Sequence, residues 1–371
     1  MPAHKILVVG GGIGGLTAAI ALRRDGHQVT VIEKDPAWSV YGVGIIQQAN
    51  VIRAMSELEL LDQYLKASVG FDAVEIFRPD GEKVARVPTP RLVEGYPANV
   101  GIGRRALHKV LGDSAIGAGA TVRLGVTVES LSVDGAAVVV RFSDSTAERF
   151  DIVVGADGVY SQIRQAVFAD APAPEFTGQA VWRYNFPRTP GLDALQVYNG
   201  PIGVGLVPIS EALMYMYVTT PEPGNPRYPT KGLARRMKAR LAGSAPAIQR
   251  LAQSIVDDEE VVYRPLETLF LKDDWHRGRI VLLGDAVHAT TPHLGQGAGM
   301  AIEDSLVLAA ELARHSEPEQ AFRVYRERRF DRCRYIVENS LAICHGQLGT
   351  GPQIDNAKAT AEMFAVVAQP I

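Results

Sequence analysis

The sequence predicts an α/β protein: a doubly wound domain on a parallel sheet, interrupted by a mostly antiparallel β-sheet domain and followed by C-terminal helices. Three observations predict it. The chain opens on a short apolar run, a glycine-rich turn and a helical stretch, the order of a βαβ unit. Between about Pro172 and Tyr263 prolines become frequent and segments alternate, as antiparallel strands do when one face is covered. Near Arg279 the first texture returns.

Lys5 to Val9 is a β-branched run of the kind that fills a central parallel strand buried on both faces. A turn over residues 10–15 leads into residues 16–24, whose apolar positions recur at helical spacing, and Gly26 ends that helix. A second strand over residues 29–32 closes on Glu33. Residues 107–118 predict a helix, and residues 122–128 and 136–142 predict strands joined around Asp134-Gly135. Residues 151–155 form another short buried strand. Residues 181–186 and 213–218 predict strands of the antiparallel sheet. Residues 280–283 then make a strand, a helix starts near Gly299, and residues 317–342 are strongly helical.

A chain of 371 residues exceeds the usual single core. Its 47% hydrophobic and 21% charged residues are an ordinary globular balance. A net charge of −3 supplies no field for nucleic acid or an anionic membrane, and neither is expected as a partner. No stretch approaches the ~20 apolar residues that span a bilayer, and the residue 6–9 run is too short for a signal peptide. Cys333 and Cys344 lie eleven residues apart in one helical stretch, ~16 Å along its axis and too far for a disulfide. Reduced thiols in a cytoplasmic setting are expected, and the pair lacks metal-ligand spacing.

Gly10, Gly12 and Gly15, with Ile13 and Gly14 between them, form a G-x-G-x-x-G turn between strand and helix. The first two glycines allow a tight turn close to a pyrophosphate, and the third lets helix and strand pack. The helix N-terminus offers free N–H groups and a positive dipole end. Glu33, 18 residues after Gly15 and followed by Lys34, stands where a carboxylate accepts from a ribose diol and repels a 2′-phosphate. That selects FAD or NAD over NADP. Two further turns follow buried strands: Gly155-Ala-Asp157-Gly158 with Ser161 and Arg164, and Gly284-Asp285 through His288, Pro292, His293, Gly295, Gln296, Gly297, Ala298 and Gly299. An Asp at such a strand end reaches a polyol hydroxyl, and the next helix aims its N-terminus at a flat ring that carries negative charge.

With these three motifs in order, the chain resembles the single-component aromatic-ring hydroxylases of the 4-hydroxybenzoate hydroxylase fold. It is most similar to the branch with salicylate hydroxylase, 3-hydroxybenzoate 6-hydroxylase and 6-hydroxynicotinate 3-monooxygenase. The resemblance covers nearly the whole chain. It implies a Rossmann-like FAD-binding domain over residues 1–70, 98–171 and 275–345, a substrate-binding β-sheet domain over 71–97 and 172–274, and a C-terminal helical segment over 346–371. It also implies that Asp157, Gly158 and Arg164 serve FAD and the nicotinamide, that Asp285 contacts the ribityl chain, and that Arg104 lies near the FAD phosphates. FAD is then bound noncovalently and NADH or NADPH only transiently, consistent with the lack of a second glycine fingerprint. O2 is the co-substrate: it adds to reduced flavin as a C4a-hydroperoxide whose distal oxygen attacks an electron-rich ring.

On the substrate side, Trp182, Arg183 and Tyr184 share one expected strand, and Tyr215 and Tyr217 face one side of another. Either tyrosine could position or deprotonate a phenol, or both could simply pack. Arg183 is a candidate for a substrate carboxylate, against the commoner role of a surface ion-pair partner. The resemblance places Pro292 and His293 in a loop at the flavin edge, with His293 a candidate proton carrier near neutral pH and His288 a candidate brace for that loop. The expected substrate is a small phenol, hydroxybenzoate or hydroxypyridine, handled by a monomer or homodimer. Alternatives are an epoxidase or a halogenase on the same fold, or a nonenzymatic flavin-binding redox protein. The halogenase reading rests on Trp182-Arg-Tyr184-Asn-Phe186-Pro187, a loose echo of Trp-x-Trp-x-Ile-Pro.

Overall fold

The computed structural model describes residues 3–168 and 170–371. Residues 1, 2 and 169, which fall in the expected cofactor domain, lie outside the described residues. The buried run Lys5–Val9 is central to a six-stranded sheet. Gln28–Glu33 and Ile152–Gly155 flank it in parallel, Thr121–Leu124 and Ile280–Leu282 extend it in parallel, and His276–Arg277 closes one edge antiparallel. The register sets Val9 beside Gly155, and Gly155 beside Leu282. Three strands therefore end side by side, and the glycine turns that follow them meet at one edge, where open α/β sheets place their ligands.

One strand differs from expectation. Thr121–Leu124 stops early because Gly125 takes φ +71°, and the hairpin around Gly135 is formed instead by Val128–Asp134 and Ala137–Phe142. A positive φ suits glycine and breaks a strand. Both cysteines are buried and unpaired in the helix Pro318–Leu348.

A second, seven-stranded sheet draws all its strands from residues 73–268. Its central pairs are antiparallel, with Glu175–Pro187 between Val262–Thr268 and Leu213–Pro221. Leu213–Pro221 pairs on with Gly203–Pro208, then come Leu195–Tyr198 and, in parallel, Ala73–Phe77. Strand alternation gives this sheet two unlike faces. Trp182, Tyr184, Phe186, Met214, Met216 and Val218 bury one face in a core with Leu233, Met237 and Ile248 from the helices Leu233–Arg240 and Pro246–Ala252. The other face, carrying Val181, Arg183, Tyr215, Tyr217 and Thr219, turns toward the glycine turns. Among the described residues no helix is long and apolar enough to cross a membrane.

Candidate active site

Between the glycine turns and the second sheet lies a cavity of about 880 Å³. At one end Gly12, Ile13 and Gly14 open the helix Ile13–Arg24, so its free N–H groups face the space. Gly10 takes φ +110° with Ala156 O 2.4 Å from where a Cβ would sit, and a Cβ on Gly15 would lie 1.9 Å from Gly10 O. Neither position tolerates a side chain. Gly12 has open space on its Cβ side, as backbone that must meet a ligand requires. Glu33 braces this turn: its carboxylate accepts from Gly11 N–H and from Asp35 N–H, both at 2.9 Å. Two bonds leave lone pairs for a ribose hydroxyl. Lys34 points outward and is exposed.

Asp285 and Arg104 face the cavity together. The Asp285 side chain is open to the cavity, but surrounding protein withdraws it from bulk water, and that burial raises its pKa against the pull of His288 and Arg104. Burial lowers Arg104, opposed by Tyr215, Asp285 and Tyr41. Burial first, and Arg104 second, depress Arg183 to about 10. Arg183 has Arg104 and Arg264 as charged neighbours and no carboxylate partner among the described residues. Pro292, His293, Gly295, Gly297 and Ala298 complete this wall, with the N-terminus of the helix Gly297–Arg314 directed into the cavity.

Several expected site residues stand behind the cavity wall rather than in it. Trp182 is fully buried on the opposite sheet face, where its Nε1 donates to Thr220 Oγ1 at 2.9 Å; its neighbour Arg183 faces the cavity because successive side chains alternate. Arg164 is fully buried and donates to Ala286 O at 2.9 Å and Val159 O at 2.8 Å, tying the second turn to the third. Asp157 caps the segment after it, accepting from Gln162 and Ile163 N–H, while the neighbouring Gly158 lines the cavity. Gln296 is buried against Gln48 and Asn50, and Gly299 packs on Gln296 and Asn50.

Tyr215 and Tyr217 both line the cavity with ring centroids 6.1 Å apart. Burial raises the pKa of each, so both stand as neutral phenols. His293 is depressed to about 4 by burial and is a neutral imidazole at pH 7. Its Nε2 donates to Gln347 Oε1 at 3.1 Å and its Nδ1 accepts from Thr291 Oγ1 at 2.9 Å. This differs from the expectation of a proton carrier near neutrality: both nitrogens are engaged, and the site has removed the charge.

The helical segment expected over 346–371 contains the helix Asn356–Ala368, but sequence reasoning did not assign to the site Gln347 or this helix's Thr360, Met363 and Phe364, all of which line the cavity. The 3.6-residue placement of Thr360, Met363 and Phe364 on one helix face was the available signal. It also missed Asp304, which accepts from Gly284 N–H at 3.0 Å and His288 Nε2 at 2.6 Å and so holds the third turn.

The family model described as an FAD binding domain matches residues 3–340. Aurachin C monooxygenase/isomerase of Stigmatella aurantiaca is 31% identical, covering 95% of this chain and 91% of its own. The 6-hydroxynicotinate 3-monooxygenase of Bordetella bronchiseptica is 30% identical over 88% of each chain. The structure of HpxO from Klebsiella pneumoniae, solved with FAD and uric acid, superposes with a TM-score of 0.84 at 26% identity, covering 98% of this chain and 92% of that one. The chain belongs to the FAD-binding-domain family and, within it, to the single-component FAD-dependent monooxygenases that act on aromatic compounds.

Proposed function

We propose that this enzyme hydroxylates an electron-rich aromatic ring, using NADH or NADPH as the electron source and O2 as the oxygen donor. The observation that carries the reading is the meeting of three strand-end turns and two helix N-termini at one cavity that continues onto the Tyr215/Tyr217 sheet face. FAD, when bound, takes electrons from the nicotinamide and delivers one oxygen atom of O2 to the ring, the other leaving as water. The remaining work belongs to the chain. Gly12, Ile13 and Gly14 hold the pyrophosphate, Glu33 the ribose and Asp285 the ribityl chain. The N-terminus at Gly297 and Ala298 stabilises negative charge on the flavin ring.

Tyr215 or Tyr217, as a neutral phenol, hydrogen-bonds the substrate hydroxyl and orients the ring. The enclosing walls exclude water from the reacting atoms. The test is NADH and NADPH oxidation with a panel of phenols, hydroxybenzoates and hydroxypyridines, followed by product mass. A gain of one oxygen atom in the ring is expected; nicotinamide oxidation that no aromatic compound stimulates would refute the reading. Tyr217→Phe should lower hydroxylation by up to ~10²-fold, within the range for a positioned proton donor, and raise hydrogen peroxide release while FAD stays bound.

A further inference from the structure

Charge is distributed very unevenly around the cavity. The charged side chains that line it among the described residues are Asp35, Arg104, Arg183, Arg264 and Asp285. Asp35, Arg104 and Asp285 belong to the turn side. Arg183 and Arg264 stand on adjacent strands at one edge of the sheet, since Arg264 pairs beside Val181. Crossing the sheet from that edge, the cavity face carries the two tyrosines, then Gly203 and Gly205, then Val197 and Leu195, and finally Val74. Four strand-to-strand steps separate Arg183 from Val74, ~19 Å of sheet.

Beyond the tyrosines the cavity extends along the sheet as an arm over Val197, Leu195 and Val74, with Phe71 packed against Leu195 and the tyrosines. The helix Asn356–Ala368, joined to the sheet through Asn356 and Asn199, adds Met363 and Phe364 to the cavity lining. No charged side chain among the described residues lines the arm. Glu75, next to Val74, alternates onto the other sheet face, where Lys83 and Arg86 pair with it. The amides beside the arm each bond another protein group: Asn356 donates to Asn199 at 3.2 Å, Asn99 donates to Thr89 Oγ1 at 2.7 Å, and Gln347 accepts from Gln179 at 3.1 Å. Space is held open at Gly205, where a Cβ would stand 2.0 Å from the Tyr217 ring; the glycine lets that ring lie flat on the sheet.

A carboxylate in this arm would lose its hydration and meet no cation, a costly burial. An alkyl chain would lose only contact with water, which is favourable. Of the three guanidinium groups that could hold an anion, Arg104 stands beside Asp285 on the turn side, and Arg183, paired beside Tyr217, and Arg264 stand at the sheet edge away from the arm. We propose that the substrate is an uncharged, electron-rich ring bearing an apolar side chain of several carbons. The ring sits at Tyr215 and Tyr217, and the side chain lies in the arm between the strands Leu195–Tyr198 and Ala73–Phe77 and the helix Asn356–Ala368. This rests on the ring-hydroxylase reading and replaces the aromatic carboxylate expected from Arg183.

The FAD-loaded protein is titrated with phenol, 4-alkylphenols from methyl to octyl, and 4-hydroxybenzoate, reading the absorbance change of oxidised FAD, which requires no turnover. The Kd is expected to fall about fourfold per added methylene until the arm fills, with 4-hydroxybenzoate weaker than 4-methylphenol. Thr360→Trp, which fills the arm, should shrink the octyl-to-phenol affinity ratio at least tenfold, and Val74→Asn should shrink it in the same direction. A flat chain-length series, or tighter binding of 4-hydroxybenzoate, overturns the proposal whatever the variants do. Product mass separates the two readings: a rising chain-length series with no oxygen gained by any ligand refutes the hydroxylase while the arm stands. Oxygenated 4-hydroxybenzoate with a flat series refutes the arm while the hydroxylase stands.

Discussion

At the scale of single residues, burial decides chemistry more than residue type does. His293 is the type that titrates near neutrality, but burial takes it down to about 4. A histidine whose folded pKa lies below its unfolded value of 6.5 binds fewer protons when folded, so folding stability rises with pH between the two values. His293 therefore costs stability as pH falls from about 6.5 toward about 4, where protonation breaks the bond it accepts from Thr291. Melting temperatures from pH 7.5 to pH 4.5 should fall more steeply for wild type than for His293→Asn; parallel slopes would exclude the assignment. Trp182 makes the same point from the other side. Its position next to Arg183 is legible, and so is the alternation of Ala180, Trp182, Tyr184 and Phe186 with Gln179, Val181, Arg183 and Asn185, which marks the Trp182 side as the apolar one and separates the two neighbours. Trp182→Ala should cost about 3–5 kcal/mol in chemical denaturation through lost packing, with FAD affinity retained.

At the scale of elements, the parallel strands and glycine turns were legible because each obeys a local rule: a β-branched run, a tight turn, a helix start. The hairpin at Gly135 is legible, but the expected strand 122–128 runs across Gly125, whose positive φ ends Thr121–Leu124, so the hairpin's first strand is Val128–Asp134 instead. The anchoring of the third turn was not legible, because its partners come from distant helices. Asp304 on Gly297–Arg314 accepts from Gly284 and His288, and Arg329 on Pro318–Leu348 donates to Asp304 at 2.8 Å and pairs with Glu303 at 2.7 Å. Burial opposes the Asp304 charge, but His288 and Arg329 outweigh it and hold the carboxyl well below the usual range. Arg329 and Asp304 are fully buried, so removing one partner leaves an uncompensated charge. Arg329→Met should lose about 3–5 kcal/mol and weaken FAD retention through the displaced turn. Unchanged denaturation midpoints would show that the network is not holding it.

At the scale of the whole molecule, the cavity is closed by pieces far apart in sequence, and the last of them is the helix Asn356–Ala368. Asp355 caps that helix by accepting from Ala357 and Lys358 N–H. The helix bridges both sheets' territories: Asn356 bonds Asn199 beside the seven-stranded sheet, while Arg53 donates to Val367 O at 3.2 Å and Ala368 O at 3.1 Å. Arg332 adds bonds to Gln369 O and Pro370 O. These clamps tie the chain end to the cofactor side, and the helix meets the third glycine turn through a weak bond in which Met363 Sδ accepts from Gln296 Nε2 at 3.5 Å. Truncation after Gly351 should leave FAD binding largely intact, because the residues proposed to hold it all precede that point. The same truncation strips Thr360, Met363 and Phe364 from the arm and admits water to the reacting ring. Nicotinamide oxidation should continue while the fraction coupled to product falls severalfold and hydrogen peroxide rises in step, measured by oxygen uptake with and without catalase. Full coupling in the truncated protein would mean that this helix is a clamp on the fold and no part of the barrier to water.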